Sequence, residues 1–142
     1  MSSGSGGLLV GFDLQKDTDI LHRAYNDSKG VTAAFSLNLL RRINRELDGN
    51  FNLQRFRHLA FYNPDCGRIE IYLESLCDQS VRISGREFQF QEVERILTEY
   101  SHKYTIEGFA ELAQEAGFLM QNVWTDEQRL FAVAYLDAPG LE

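Results

Sequence analysis

The sequence predicts an α+β fold. Apolar residues keep a helical rhythm between Val31 and Leu47, and they alternate with polar residues between Ile69 and Glu74. A short unbroken apolar run, Leu8 to Val10, adds a strand near the start.

In order along the chain, GLLVGFDL (Gly7 to Leu14) does not alternate, so it reads as a buried, parallel strand. Asp13 stands at its carboxyl end, where open α/β sheets bind ligands. DTDILHRAYND follows with Ile20, Leu21 and Ala24 at helical spacing, and Asp17 or Thr18 is placed to cap it. GVTAAFSLNLLRRINREL is the strongest helix. Val31, Phe35, Leu39, Ile43 and Leu47 recur every four residues, with Arg41, Arg42 and Arg45 off that face, so this stripe is expected to pack. The DGN at Asp48 to Asn50 ends it, and NLQRFRHL makes one or two helical turns. HLAFYNPDCGRIEIYLESL is a hairpin turning at NPDCG. Ile69, Ile71 and Leu73 share one face of its second arm, and Glu70, Tyr72 and Glu74 the other. QSVRISGREFQF is a second strand pair turning near Gly85. IEGFAELAQEAGF is a helix stopped by Gly117, and LMQNVWT and LFAVAYL are strands around a DEQ turn. The opening strand and the closing pair can share one sheet, which leaves the middle as an insertion.

A chain of 142 residues can bury a core. Its 44% hydrophobic and 25% charged residues are ordinary for a globular protein. A net charge of -7 without a basic stripe argues against nucleic-acid binding. No apolar run approaches the roughly 18 residues of a membrane span, and no signal peptide is recognisable, so a cytoplasmic location is expected. Cys66 and Cys77 show no metal-ligand spacing and are expected as reduced thiols. MSSGSGG and GLE read as appended tails, the latter within residues 139–142.

LTEYSHKY, from Leu97 to Tyr104, concentrates the polar chemistry. In an extended chain Glu99, Ser101 and Lys103 point one way, and Thr98, Tyr100, His102 and Tyr104 the other. An acceptor beside a hydroxyl suits a small polar ring. In a helix, Glu99 and His102 would instead be spaced as metal ligands; the extended reading is preferred, with no metal. Each candidate also has a plain structural reading. Glu99 can be an exposed edge acid, Tyr25 half-buried packing, Thr32 a helix-start residue and Ile71 a core strand residue. Lys16 and Lys103 are expected to be solvated, and Trp124 to be core.

GFDLQKD at Gly11 to Asp17, AYND and GVTAAF between Ala24 and Phe35, TEYSHKY at Thr98 to Tyr104 and WTD at Trp124 to Asp126 together resemble the histidine-specific Nα-methyltransferases of ergothioneine biosynthesis. These are class I S-adenosylmethionine-dependent methyltransferases. The resemblance implies the C-terminal part of a Rossmann-like α/β sheet carrying an inserted substrate-binding subdomain with helices and an antiparallel sheet. Residues 1–17 and 105–138 would belong to the catalytic domain and 18–104 to the insertion. It implies Glu99 and Ser101 at the substrate ring, Thr32 near it, Tyr25 at the substrate carboxylate and Ile71 in the pocket wall. Ile71 departs from the family's histidine-specific member, which has an unbranched thioether there. The cofactor would be S-adenosylmethionine, held by a glycine-rich loop expected upstream of residue 1 with the catalytic residues. GSGG at Gly4 to Gly7 is no substitute, because it precedes a strand. The expected partners are an amino-acid substrate, the N-terminal part of the methyltransferase domain, and a second copy of the chain. The alternatives are another amino-acid substrate or a non-catalytic ligand-binding or interaction module.

Overall fold

The computed structural model describes residues 6–138. The stretches MSSGSGG and GLE, expected as tails, lie largely outside the described residues. Along it run β1 (Gly6–Asp13), α1 (Thr18–Tyr25), α2 (Val31–Glu46), β2 (Phe56–Asn63), β3 (Arg68–Ser75), β4 (Gln79–Ile83), β5 (Arg86–Phe90), β6 (Arg95–His102), α3 (Ile106–Glu115), β7 (Leu119–Thr125) and β8 (Phe131–Ala138). A single 3-10 turn, Leu53–Arg55, precedes β2. The architecture is α+β, with antiparallel sheets. The contacts divide it into two units, one of residues 6–16 with 102–138 and one of residues 17–101.

In the first unit the strand order is β1-β8-β7. β1 pairs antiparallel with β8, from Gly6 opposite Ala138 to Asp13 opposite Phe131. This corrects the parallel reading of GLLVGFDL. The buried reading also fails for its first half, because Leu8 is 46% and Leu9 66% exposed. A run without alternation signals a strand apolar on both faces. Here one edge and part of one face are covered by the described residues. Phe12, Ala132, Ala134 and Leu136 pack with Ala113 of α3, and Phe12 stacks on Phe109 at 3.8 Å between ring centroids. Thr105 caps α3 by accepting the Gly108 N–H at 3.0 Å. Gly117, at φ 85°, supplies the left-handed turn that stops it. Asp126 closes the β7–β8 hairpin by accepting the N–H groups of Leu130 and Phe131 at 2.7 and 2.9 Å. Trp124, expected in the core, is 54% exposed, because the residues of α3 in the core meet β1, β8 and the start of β7 rather than its far end.

In the second unit the sheet order is β2-β3-β6, with β4–β5 a separate hairpin. Ile69, Ile71 and Leu73 are buried on one face. Leu73 packs with Leu40, Phe51, Phe56 and Val81. Ile69 and Ile71 pack with Leu21 and Ala60. Asn44 ties the end of α2 to Phe51, donating to its carbonyl at 2.8 Å and accepting its N–H at 2.7 Å. The α2 stripe was misread. Ser36 and Leu40 are buried, with Leu37 and Ile43 beside them, whereas Val31, Phe35 and Leu39 are 65%, 70% and 39% exposed. Alpha2 has two apolar faces, and rhythm cannot say which one packs.

The other face of β3 holds buried carboxylates. Glu74 accepts hydrogen bonds from Arg95 at 2.8 Å and from Arg57, its register partner on β2, at 2.7 Å. Glu70 accepts from Tyr72 at 2.7 Å and Arg68 at 2.8 Å, and the Arg68 guanidinium lies 3.6 Å from the Tyr100 ring centroid. These bonds hold both carboxyls below their ordinary range: for Glu74 those from Arg95 and then Arg57, for Glu70 those from Tyr72 and then Arg68. A carboxyl with a depressed folded pKa stabilises above its unfolded value and ceases to as pH falls through the folded one. Urea unfolding is therefore expected to show undiminished stability from pH 7 to about 5 and a progressive loss below about 4.3. A Glu70→Gln, Glu74→Gln variant as acid-sensitive as the unaltered chain would exclude this sheet as a source.

Candidate functional site

β6 is a strand, so Glu99 and Ser101 share one face and His102 the other. The extended reading of this stretch is the observed one. Glu99 lines an open cleft of about 270 Å³ with Tyr25, Val31, Thr32, Phe35 and Ile71. Four of the five residues named from the sequence thus come together. The fifth, Ser101, lies one step further along the strand face, with its hydroxyl 2.8 Å from the Tyr25 phenol. The Glu99 carboxylate has no hydrogen-bond or ion-pair partner among the described residues. Ile71, 3% exposed, forms the floor.

The helices that carry Tyr25 and Thr32 are fixed locally. Asp27 accepts the N–H groups of Val31 and Thr32, both at 3.0 Å, across the left-handed Gly30. Those bonds, Thr32 first, hold its carboxyl below the ordinary range. His58, on β2, reaches the Tyr25 carbonyl with Nε2 at 2.9 Å and the Ser36 hydroxyl with Nδ1 at 3.1 Å. The exposed stripe of α2 is thus cleft wall. Phe35 and Val31 line the cleft, and Phe35, Leu39, Arg42 and Glu99 line a neighbouring one. Sequence reading missed Phe35 and Val31 as lining and His58 and Ser36 as supports. The surplus of apolar residues around α2 was the signal for the first pair.

Asp13, the positional candidate, is an ion-pair partner in the first unit. Lys103, expected in solvent, is buried at 3% exposure, with Nζ 2.9 Å from Asp13 Oδ2. Lys16 meets the other oxygen. Burial pushes the Asp13 carboxyl up, but the hydrogen bonds and charges of Lys16 and Lys103 outweigh it and hold it below the ordinary range.

Comparison with known proteins gives the family of the chain. A family model described as histidine-specific methyltransferase, SAM-dependent, matches residues 1–138. The chain belongs to this family. It is 44% identical over 121 residues to the histidine N-alpha-methyltransferase of Mycolicibacterium smegmatis, covering 84% of the chain and 38% of that protein. It is 39% identical over 129 residues to the Mycobacterium tuberculosis enzyme of the same name, covering 89% and 40%. It is 31% identical over 137 residues to an L-tryptophan methyltransferase of Psilocybe serbica, covering 92% and 37%. The chain therefore spans about two fifths of the length of these relatives.

Membership of a SAM-dependent family raises the question of whether these residues can cradle that cofactor. A cradle of this kind needs a glycine-rich turn between a strand and a helix. The β1–α1 connection, Leu14 to Asp17, contains no glycine, and its Lys16 is held by Asp13. This connection therefore does not fit the cofactor.

Proposed function

We propose that the chain is the C-terminal, substrate-recognising portion of an S-adenosylmethionine-dependent methyltransferase that acts on the α-amino group of histidine. The observation that supports this reading is the single cleft holding Tyr25, Thr32, Ile71 and Glu99, with Ser101 on Tyr25. The Glu99 carboxylate accepts an imidazole N–H, and the Ser101 hydroxyl serves the second ring nitrogen. Thr32 lies beside the ring and the Tyr25 phenol donates to the substrate carboxylate. The α-amino group of a free amino acid is protonated at pH 7, so it must give up a proton before transfer, and the part of this cleft is to position it. In this reading β1, β8 and β7 are the closing strands of a Rossmann-like sheet, and residues 17–101 are its substrate-binding insertion.

Ile71 favours a second reading. A β-branched floor differs in shape from an unbranched one, and a relative is named for tryptophan. The test is the full-length protein with S-adenosylmethionine and each amino acid, with N-methyl products read by mass spectrometry. Histidine is expected to give the highest kcat/KM. A preference for tryptophan would transfer the proposal to the second reading, and no product from any amino acid would end it.

Two expectations concern the chain by itself. Calorimetric titration of the 142-residue chain with S-adenosylmethionine should show no binding; micromolar affinity would overturn the assignment of the cofactor to the rest of the protein. β1 also pairs on one edge only among the described residues, and Leu8 and Leu9 beside the other edge are exposed. An apolar edge without charge or proline accepts another strand, and a second copy of the same edge gives a closed two-fold pair. Light scattering over a dilution series should report a dimer. A monomer at high concentration would show that this edge does not pair.

A further inference from the structure

We infer that His58 is a positioning residue for the cleft, bracing the ends of the helices that present Tyr25 and Thr32; the inference rests on reading the cleft as an amino-acid site. Tyr25 is the last residue of α1, and its carbonyl is among those that a helix leaves without an internal donor. His58 Nε2, 2.9 Å away, fills that place. On its other side, Nδ1 meets Ser36 Oγ at 3.1 Å, and that hydroxyl lies 3.1 Å from the Thr32 carbonyl one turn earlier. Ser36 is 6% exposed on the packed face of α2, where an unpartnered hydroxyl would be costly. One imidazole and one hydroxyl thereby tie the backbone at Tyr25 to the backbone at Thr32, although neither His58 nor its ring lines the cleft.

The protons can be counted. A carbonyl only accepts, so Nε2 carries a proton. Ser36 has one proton to give. Given to the Thr32 carbonyl, it leaves Oγ to accept from a protonated Nδ1. Given to Nδ1, it leaves a neutral ring in the Nε2–H form. Both arrangements fix a proton on Nε2, which is a spectroscopic signature independent of catalysis.

Nitrogen-15 spectra of the histidine-labelled chain should show His58 with a protonated, slowly exchanging Nε2. Rapid averaging between tautomers, or a bare Nε2, would overturn the brace. In the full-length protein, His58→Phe should raise KM for histidine by on the order of tenfold with kcat little changed, the pattern of lost ground-state binding. His58→Gln, which keeps a donor in reach of the Tyr25 carbonyl, should recover most of that loss. Ser36→Ala keeps the ring and removes the Thr32 arm, so it serves where His58→Phe does not fold; its KM should rise several-fold. Unaltered KM in both variants would overturn the inference. If the unaltered protein methylates no amino acid, the reading of the cleft fails, and the Nε2 signature alone decides the brace.

Discussion

Glu99→Ala in the full-length protein is expected to lower kcat/KM for histidine between roughly tenfold and a hundredfold. The carboxylate lines the cleft and has no partner among the described residues. A hydrogen bond to a charged acceptor contributes about 1.5–3 kcal/mol, and each 1.4 kcal/mol is a factor of ten. The loss should be selective, because a site built to accept an N–H discriminates strongly against ligands that lack one in that place. Glu99→Gln, which keeps an acceptor oxygen without the charge, should fall between. Steady-state kinetics with histidine and with tryptophan decide the matter. Unchanged histidine kinetics in Glu99→Ala would put the carboxylate outside the site.

Asp13→Ala should destabilise the chain by about 3 kcal/mol, on the order of 10 °C in Tm. The Lys103 side chain is 1% exposed and faces Asp13 at 2.9 Å, while Asp13 itself is 30% exposed. Removing the carboxylate leaves the ammonium in a site arranged for an ion pair. That loss is larger than the worth of the pair itself, whose attraction is offset by desolvation. Lys103→Met, which removes the buried charge instead, should therefore cost less than Asp13→Ala. The pH sign follows from the depressed Asp13 carboxyl: its contribution is complete above about 3.9 and fades as pH falls through the folded value. Equal stability of Asp13→Ala and the unaltered chain by urea unfolding would show that the pair carries no net stability.

The sequence was readable where one signal had one meaning. Alternation at Ile69 to Glu74 specified a strand and its faces, because a slip of one residue would have put three large apolar side chains where Glu70 and Glu74 meet their arginines. Gly117 stopped α3 because a left-handed residue there fits glycine. The family pattern named Tyr25, Thr32, Ile71, Glu99 and Ser101 as expected site residues, and the first four line one cleft although period alone would not join them. The errors share a physical origin. Apolar residues at Leu8, Leu9, Val31, Phe35 and Trp124 imply burial, but period says nothing about what buries them, and the described residues leave these five exposed. Lys103 was misplaced for the converse reason. Its counter-ion is 90 positions away along the chain, beyond the reach of any local pattern. His58 carried no signal at all, because its partners are a backbone carbonyl and a serine on different helices.

The meeting of Leu14 with Tyr104 has a kinetic meaning. These residues form a parallel bridge, with Tyr104 N–H on the Asp13 carbonyl at 3.0 Å and Gln15 N–H on the Tyr104 carbonyl at 2.9 Å. In the unfolded chain β1 and β8 are separated by roughly 120 residues, and closing so long a loop before any contact rewards it is slow. Once the bridge has formed, the path from β1 to β8 runs through Tyr104 and shortens to roughly 30 residues. That fourfold contraction returns about 1 kcal/mol of chain entropy. The clasp thus turns the longest-range strand pairing among the described residues into a near-local one.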